Sequence, residues 1–134
     1  MKKAILIISI LKTLTTVLAI KYFLSFRHLI NFLQKKRLFN QNFYKQNEIR
    51  LALSSVCRKL NINNCLTSSS VIYIVLTKNG FKSKLSIGFH EKNKDFHSHS
   101  WVECGNNTYH TNPVNLKQIK KLIEITPWVL YQGS

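Results

Sequence analysis

Cys65, His99 and Asn112 are the residues whose types and spacing offer chemistry. A thiol attacks as its thiolate, and the start of a helix favours the thiolate because unpaired N–H groups and the helix dipole are positive there. Cys65 opens the apolar run CLTSSSVIYIVLTKNG, and Arg58 and Lys59 just upstream push the same way. A cysteine nucleophile needs a base, and the base needs a group that orients it. Two alternating segments supply both. Gly105-Asn106 is a two-residue hairpin signal that pairs Cys104 with Asn107. Counting outward five positions on each strand sets His99 opposite Asn112, and directly opposed residues share a sheet face. The Asn112 amide then holds the His99 ring, completing a Cys-His-Asn set. The arrangement depends on register, because a different turn moves Asn112 away.

Other readings of the same residues stand beside this one. A free cysteine is commonly a small buried hydrophobe, and His99 with Asn112 is also an ordinary polar strand pair. His97, His99 and His110 fall on one sheet face in this register, and His-x-His on a strand suits zinc. Trp101 and Glu103 share the His99 face, where they line the site or serve as a core residue and a structural hydrogen-bonding group.

Composition narrows the mechanism. Of 134 residues, 20 are Lys or Arg and five are acidic, for a net charge of +15. Asp95 is the single aspartate, so catalysis by paired carboxylates has little to draw on. The charge calls for a negative partner: nucleic acid, anionic lipid or an acidic peptide. The cations are scattered and no zinc-finger, homeodomain or RNA-recognition signature occurs, so no nucleic acid is expected. Cys57, Cys65 and Cys104 are odd in number and widely spaced, which is not a disulfide framework. A reduced, cytoplasmic setting is the simplest expectation.

The elements that must position the site follow from periodicity. Residues 4–36 read as one long helix or two, with Leu11, Leu14, Leu18, Phe23, Phe26, Ile30 and Leu33 at helical spacing. Residues 4–24 are strongly apolar but interrupted by Lys12 and Lys21, which suits a helix buried in the fold or lying on a membrane better than a spanning one. Residues 38–47 form a polar connection. Glu48–Leu60 is a helix with Ile49, Leu53, Val56 and Leu60 on one face. A buried helix from Cys65 ends at Asn79-Gly80. Leu85, Ile87 and Phe89 then alternate as a strand, Glu91–Asp95 is a polar loop, and Phe96–Cys104 alternates again. Thr108–Asn112 is the returning strand, and residues 116–125 are expected to be a short closing helix. The fold class is α+β: N-terminal helices, then a helix bearing the nucleophile, then an antiparallel sheet. Residues 1–47 make an apolar helical region and connection, and residues 48–134 the core.

Cys65-Leu66, Gly80-Phe81, Lys84-Leu85-Ser86-Ile87-Gly88 and His99-Ser100-Trp101-Val102-Glu103 resemble, in order and spacing, the transglutaminase-like cysteine peptidases of lasso-peptide biosynthesis. Leu24-Ser25-Phe26-Arg27-His28-Leu29 resembles the stretch that precedes the core in that family. The resemblance implies a transglutaminase-like, papain-like cysteine protease core with no cofactor. It implies removal of the leader from a ribosomally made precursor peptide before an asparagine-synthetase-like partner cyclase closes the macrolactam ring. Cys65 is then the nucleophile and His99 the general base. The family's third residue is usually an aspartate about a dozen positions on, and no aspartate follows His99 here; Asn112 is the nearest substitute. Asn orients an imidazole but stabilises imidazolium less than Asp does. Residues 1–50 show no fused leader-recognition module, which implies a stand-alone form working with a separate leader-recognition protein. Acyl transfer or transglutamination by the same cysteine, and a non-enzymatic membrane-associated protein, are the competing functions.

Overall fold

Four helices precede four strands in a computed structural model of the chain that describes residues 2–35, 44–61, 65–92, 95–105, 107–109 and 120–126. The helices are α1 (Lys2–Phe23), α2 (Phe26–Gln34), α3 (Gln46–Lys59) and α4 (Cys65–Lys78). The strands are β1 (Lys84–Lys92), β2 (Asp95–Cys104), β3 (Asn107–Tyr109) and β4 (Lys120–Ile125). They form one antiparallel sheet in the order β3-β2-β1-β4. The α+β expectation holds.

Local chemistry sets the boundaries. Ser25 breaks the first apolar stretch into two helices: its backbone is extended and its hydroxyl accepts from the His28 N–H at 3.3 Å, capping α2. At α3 the Glu48 carboxylate accepts from the Lys45 N–H at 3.1 Å. At the end of α4, Gly80 takes φ +82 and lets Phe81 N–H reach the Leu76 carbonyl at 2.9 Å while Gly80 N–H reaches Thr77 at 3.1 Å. That doubly bonded close needs a left-handed residue and matches the expected Asn79-Gly80 stop.

Two expectations change. Residues 120–125 are not helical; they form β4, antiparallel to β1, with Leu85 opposite Ile125 and Ile87 opposite Ile123. The sequence KKLIEI carries too few residues of helical period to bury a stripe. Its alternating, β-branched Ile123 and Ile125 instead extend the apolar face that β1 starts. The Glu91–Asp95 loop is also shorter than expected. The β1–β2 ladder runs on to Lys92 opposite Asp95.

The buried faces also shift. In α1 the inner stripe is Leu6, Ile10, Leu14 and Val17, while the expected Leu11 is exposed. In α2, Leu29, Ile30 and Leu33 are buried, and in α3 Ala52 joins Ile49, Leu53 and Val56 while Leu60 is exposed. α1 is apolar nearly all round, so periodicity alone could not choose its inner face. α4 is buried on every side from Val71 to Thr77. It packs against α1 and α3 on one side and against β1 and β2 on the other. The buried residues of α1 and α2 belong to the same cluster as those of α3, α4 and the sheet.

Candidate active site

Cys65 is the first residue of α4, where the sequence expects it. Its side chain lies outside the described residues. The surroundings of that helix start are described, and they include a cation that sequence reasoning did not single out. Lys21, in the last turn of α1, donates from Nζ to Thr67 Oγ1 at 3.4 Å. Thr67 is buried and sits two residues beyond Cys65, on the same first turn. A positive charge there adds to the helix dipole in favouring a thiolate. In the sequence Lys21 reads only as an interruption of an apolar run. No local signal in the sequence could have found it, because periodicity alone does not choose the inner face of α1.

His99 lies on β2, half-buried, with Gly88 of β1 directly opposite. Cross-strand partners share a face, so the neighbour beside the imidazole has no side chain to crowd it. The β1–β4 register shifts between Ile87 and Gly88. Such an irregularity twists the strand locally and re-aims the side chains around it. Trp101 and Glu103 lie on the His99 face, as expected. Trp101 is buried, and its indole Nε1–H donates to Glu103 Oε1 at 3.1 Å. Glu103 therefore acts as the partner that a buried indole needs. Ser86, also on this face and fully buried, has no hydrogen-bond partner among the described residues.

The expected hairpin register is observed. Cys104 pairs with Asn107, Glu103 with Thr108 and Val102 with Tyr109. The two-residue loop works because Gly105 takes φ +62. β3 is tied to the start of α3, since Gln46 Oε1 accepts from Tyr109 Oη at 2.8 Å and from Asn107 Nδ2 at 3.2 Å. Asn112 itself lies outside the described residues, as does His110. The side chain of His97 lies outside them too. Among the described residues no three metal-ligating side chains gather.

The relative level of Cys65 and His99 follows from the elements. The short 79–83 connection folds β1 back along α4. α4 is 14 residues long, and at ~1.5 Å per residue it spans about 20 Å. From Lys84 to Gly88 the strand advances about 13 Å, which carries His99 toward the Cys65 end of the helix. Ser100, Val102 and Cys104 point toward the helices, with Leu85, Ile87 and Ile125. His99 alternates onto the opposite face. At the far end of α4, a cleft of about 540 Å³ is lined by Lys45, Arg50, Phe81, Asn107 and Tyr109. It is a full helix length from Cys65.

Burial pushes the Cys104 thiol above its ordinary range, and its Sγ–H donates to the Lys82 carbonyl at 3.6 Å. Cys104 is thus an inert packing residue.

Comparison with curated proteins gave no match, and comparison with solved structures gave none either. The family comparison did: the profile of the transglutaminase-like superfamily matches residues 19–124, a span that runs from the last turns of α1 to β4. With helices leading into an antiparallel sheet and a cysteine at the start of the central helix, the chain belongs to the transglutaminase-like superfamily, which generally contains cysteine peptidases and transglutaminases.

Proposed function

We propose that this protein is a cysteine peptidase that removes the leader from a ribosomally made lasso-peptide precursor, with Cys65 as nucleophile, His99 as general base and acid, and Asn112 as the group that orients His99. The observation that carries the reading is the start of α4. A cysteine is its first residue, and the Lys21 ammonium reaches the same turn. The hairpin register agrees with the third residue as far as it is described, to Val102 opposite Tyr109; carried three positions further it would set Asn112 opposite His99. His99 alternates onto the sheet face away from the packed body of α4, so the mechanism requires thiolate and imidazole to meet at the N-terminal end of the helix, beyond the helix–sheet interface.

In this mechanism the Cys65 thiolate attacks the carbonyl carbon at the leader–core junction. Backbone N–H groups at the helix start stabilise the oxyanion. His99 donates a proton to the departing amine as the C–N bond breaks, leaving a thioester. Water, deprotonated by His99, attacks the thioester carbonyl and releases the leader as a carboxylic acid with the thiol regenerated. The partners in this reading are the precursor peptide, a separate leader-recognition protein and a macrolactam cyclase, in a cytoplasmic setting.

The test follows leader release by mass spectrometry, using the full chain, the precursor and its leader-recognition protein, with wild type beside Cys65→Ala and Asn112→Ala. Loss with Cys65→Ala and weakening with Asn112→Ala are the expected results. Equal cleavage by Cys65→Ala overturns the nucleophile, and indifference at Asn112 overturns the orienting residue alone. Product resistant to water but captured by an added primary amine assigns acyl transfer to the same cysteine instead.

A further inference from the structure

α1 has two apolar faces, and the fold uses only one. Leu6, Ile10, Leu14 and Val17 are buried in the core. On the other side, Ile5, Ile8, Leu11, Tyr22 and Phe23 are exposed, Ile8 at 63% and Phe23 at 85%. At 100° per residue these five fall within an arc of about 120°. Leu24, just past the helix, is exposed as well. A surface helix ordinarily presents charged and polar groups to water, and an apolar strip of this kind marks a contact surface.

The hydroxyls within and beside the strip are already satisfied. Thr15 Oγ1 donates to the Leu11 carbonyl at 2.9 Å and Thr16 Oγ1 to the Lys12 carbonyl at 3.0 Å. Both hydroxyls are thereby turned back onto the helix, which is what a poorly hydrating medium demands of them. Lys12 is the one charge within the arc, and α1 contains no acid. A lysine stem of that length reaches from an apolar layer to a polar boundary. Arg27 and Lys35, exposed on and just after α2, add cations nearby.

We propose that α1 docks the protein on an anionic lipid surface, lying flat with its outer face in the interfacial layer and its inner face still in the core. Ala4–Phe23 is long and apolar enough to span a bilayer, with mean hydropathy 1.9. Spanning, however, would strip Leu6, Ile10, Leu14 and Val17 from α3 and α4, so the flat arrangement keeps both faces apolar at once. Charge selects the occupant. Two copies joined through α1 would bring together two chains of +15 each, whereas an anionic surface attracts the same charge.

The test is co-sedimentation of the full-length protein with vesicles of mixed phosphatidylglycerol and phosphatidylcholine, and with phosphatidylcholine alone. Wild type is expected on the anionic vesicles. Ile8→Glu and Phe23→Glu, both at exposed positions, are expected to weaken partitioning at least about tenfold. Leu51→Glu, at a leucine exposed on α3 away from the strip, is expected to bind as wild type. Unchanged circular-dichroism melts establish that each variant folds. The proposal is overturned if wild type stays in solution, if Ile8→Glu binds undiminished, or if Leu51→Glu loses as much as Ile8→Glu. It is also overturned if lipid-free wild type self-associates and Ile8→Glu disperses it, because the strip is then a self-interface.

Discussion

Replacing Lys21 with Met should make Cys65 a weaker acid and a slower nucleophile. The ammonium lies 3.4 Å from Thr67 Oγ1, and Thr67 is two residues along the helix from Cys65. A two-residue step rises only ~3 Å but turns about 200° round the helix, so the charge sits about 10 Å from the Cys65 position. At that distance, with an effective dielectric constant of about 40 for a half-exposed lysine, the favourable term is about 0.8 kcal/mol. This is somewhat less than one pKa unit. The sign follows directly: removing a cation disfavours the anion, so the thiol pKa rises. Below both pKa values the thiolate fraction should fall about fourfold. The assay is alkylation by iodoacetamide across a pH series, read at the Cys65 peptide by mass spectrometry so that Cys57 and Cys104 do not contribute. Lys21→Arg keeps the charge and should restore the wild-type profile. Superimposable profiles for wild type and Lys21→Met would refute the electrostatic role and leave Lys21 as a packing contact only.

Three further outcomes are expected. Ser100→Ala should leave stability unchanged or raise it by about 1 kcal/mol in urea unfolding, because the Ser100 hydroxyl is buried against the helices without a partner among the described residues. Gly105→Val should destabilise by about 1–2 kcal/mol, since φ +62 disfavours any side chain, and a β-branched one most. No atom lies within 4 Å of an added Cβ, so a large loss accompanied by a new clash would contradict this. Stability should decline on the alkaline side. Burial raises the pKa of Cys104 above its ordinary 9.0, and those of Tyr109 and Tyr73 above 10.0. The unfolded chain therefore loses protons first, and stability present below about pH 9 falls as pH rises toward the folded-state values. Thermal melts from pH 7 to pH 11 check this, and flat melting temperatures would contradict it.

Much of this was legible from local pattern. The Ser25 break, the Gly80 close and the Gly105 turn each depend on a few adjacent residues, so sequence reveals them. Hairpin register followed from turn length alone, and the observed pairing of Cys104 with Asn107 is the expected one. What escaped depends on distant partners. KKLIEI becomes a strand because β1 offers it an edge, and no property of six residues announces that neighbour. The inner face of α1 was misread because an all-apolar helix carries no phase. Lys21 acquires its role only when α1 meets α4 across 46 positions of sequence. Asn112 is reached only by extending the register three positions past Tyr109, and Cys65 is located by the backbone of its helix.

Residue 19, where the family resemblance begins, falls inside α1 rather than at its start. A fragment cut to the matched span would keep Lys21 yet lose Leu6, Ile10, Leu14 and Val17, all at or below 4% exposure. At 1.5–3 kcal/mol for each buried side chain, the loss is roughly 6–12 kcal/mol, as much as a domain's entire margin against unfolding. The unit that folds is therefore larger than the unit that kinship marks out. Removing the chain ahead of residue 19 would forfeit that margin while leaving every residue of the inferred site in place.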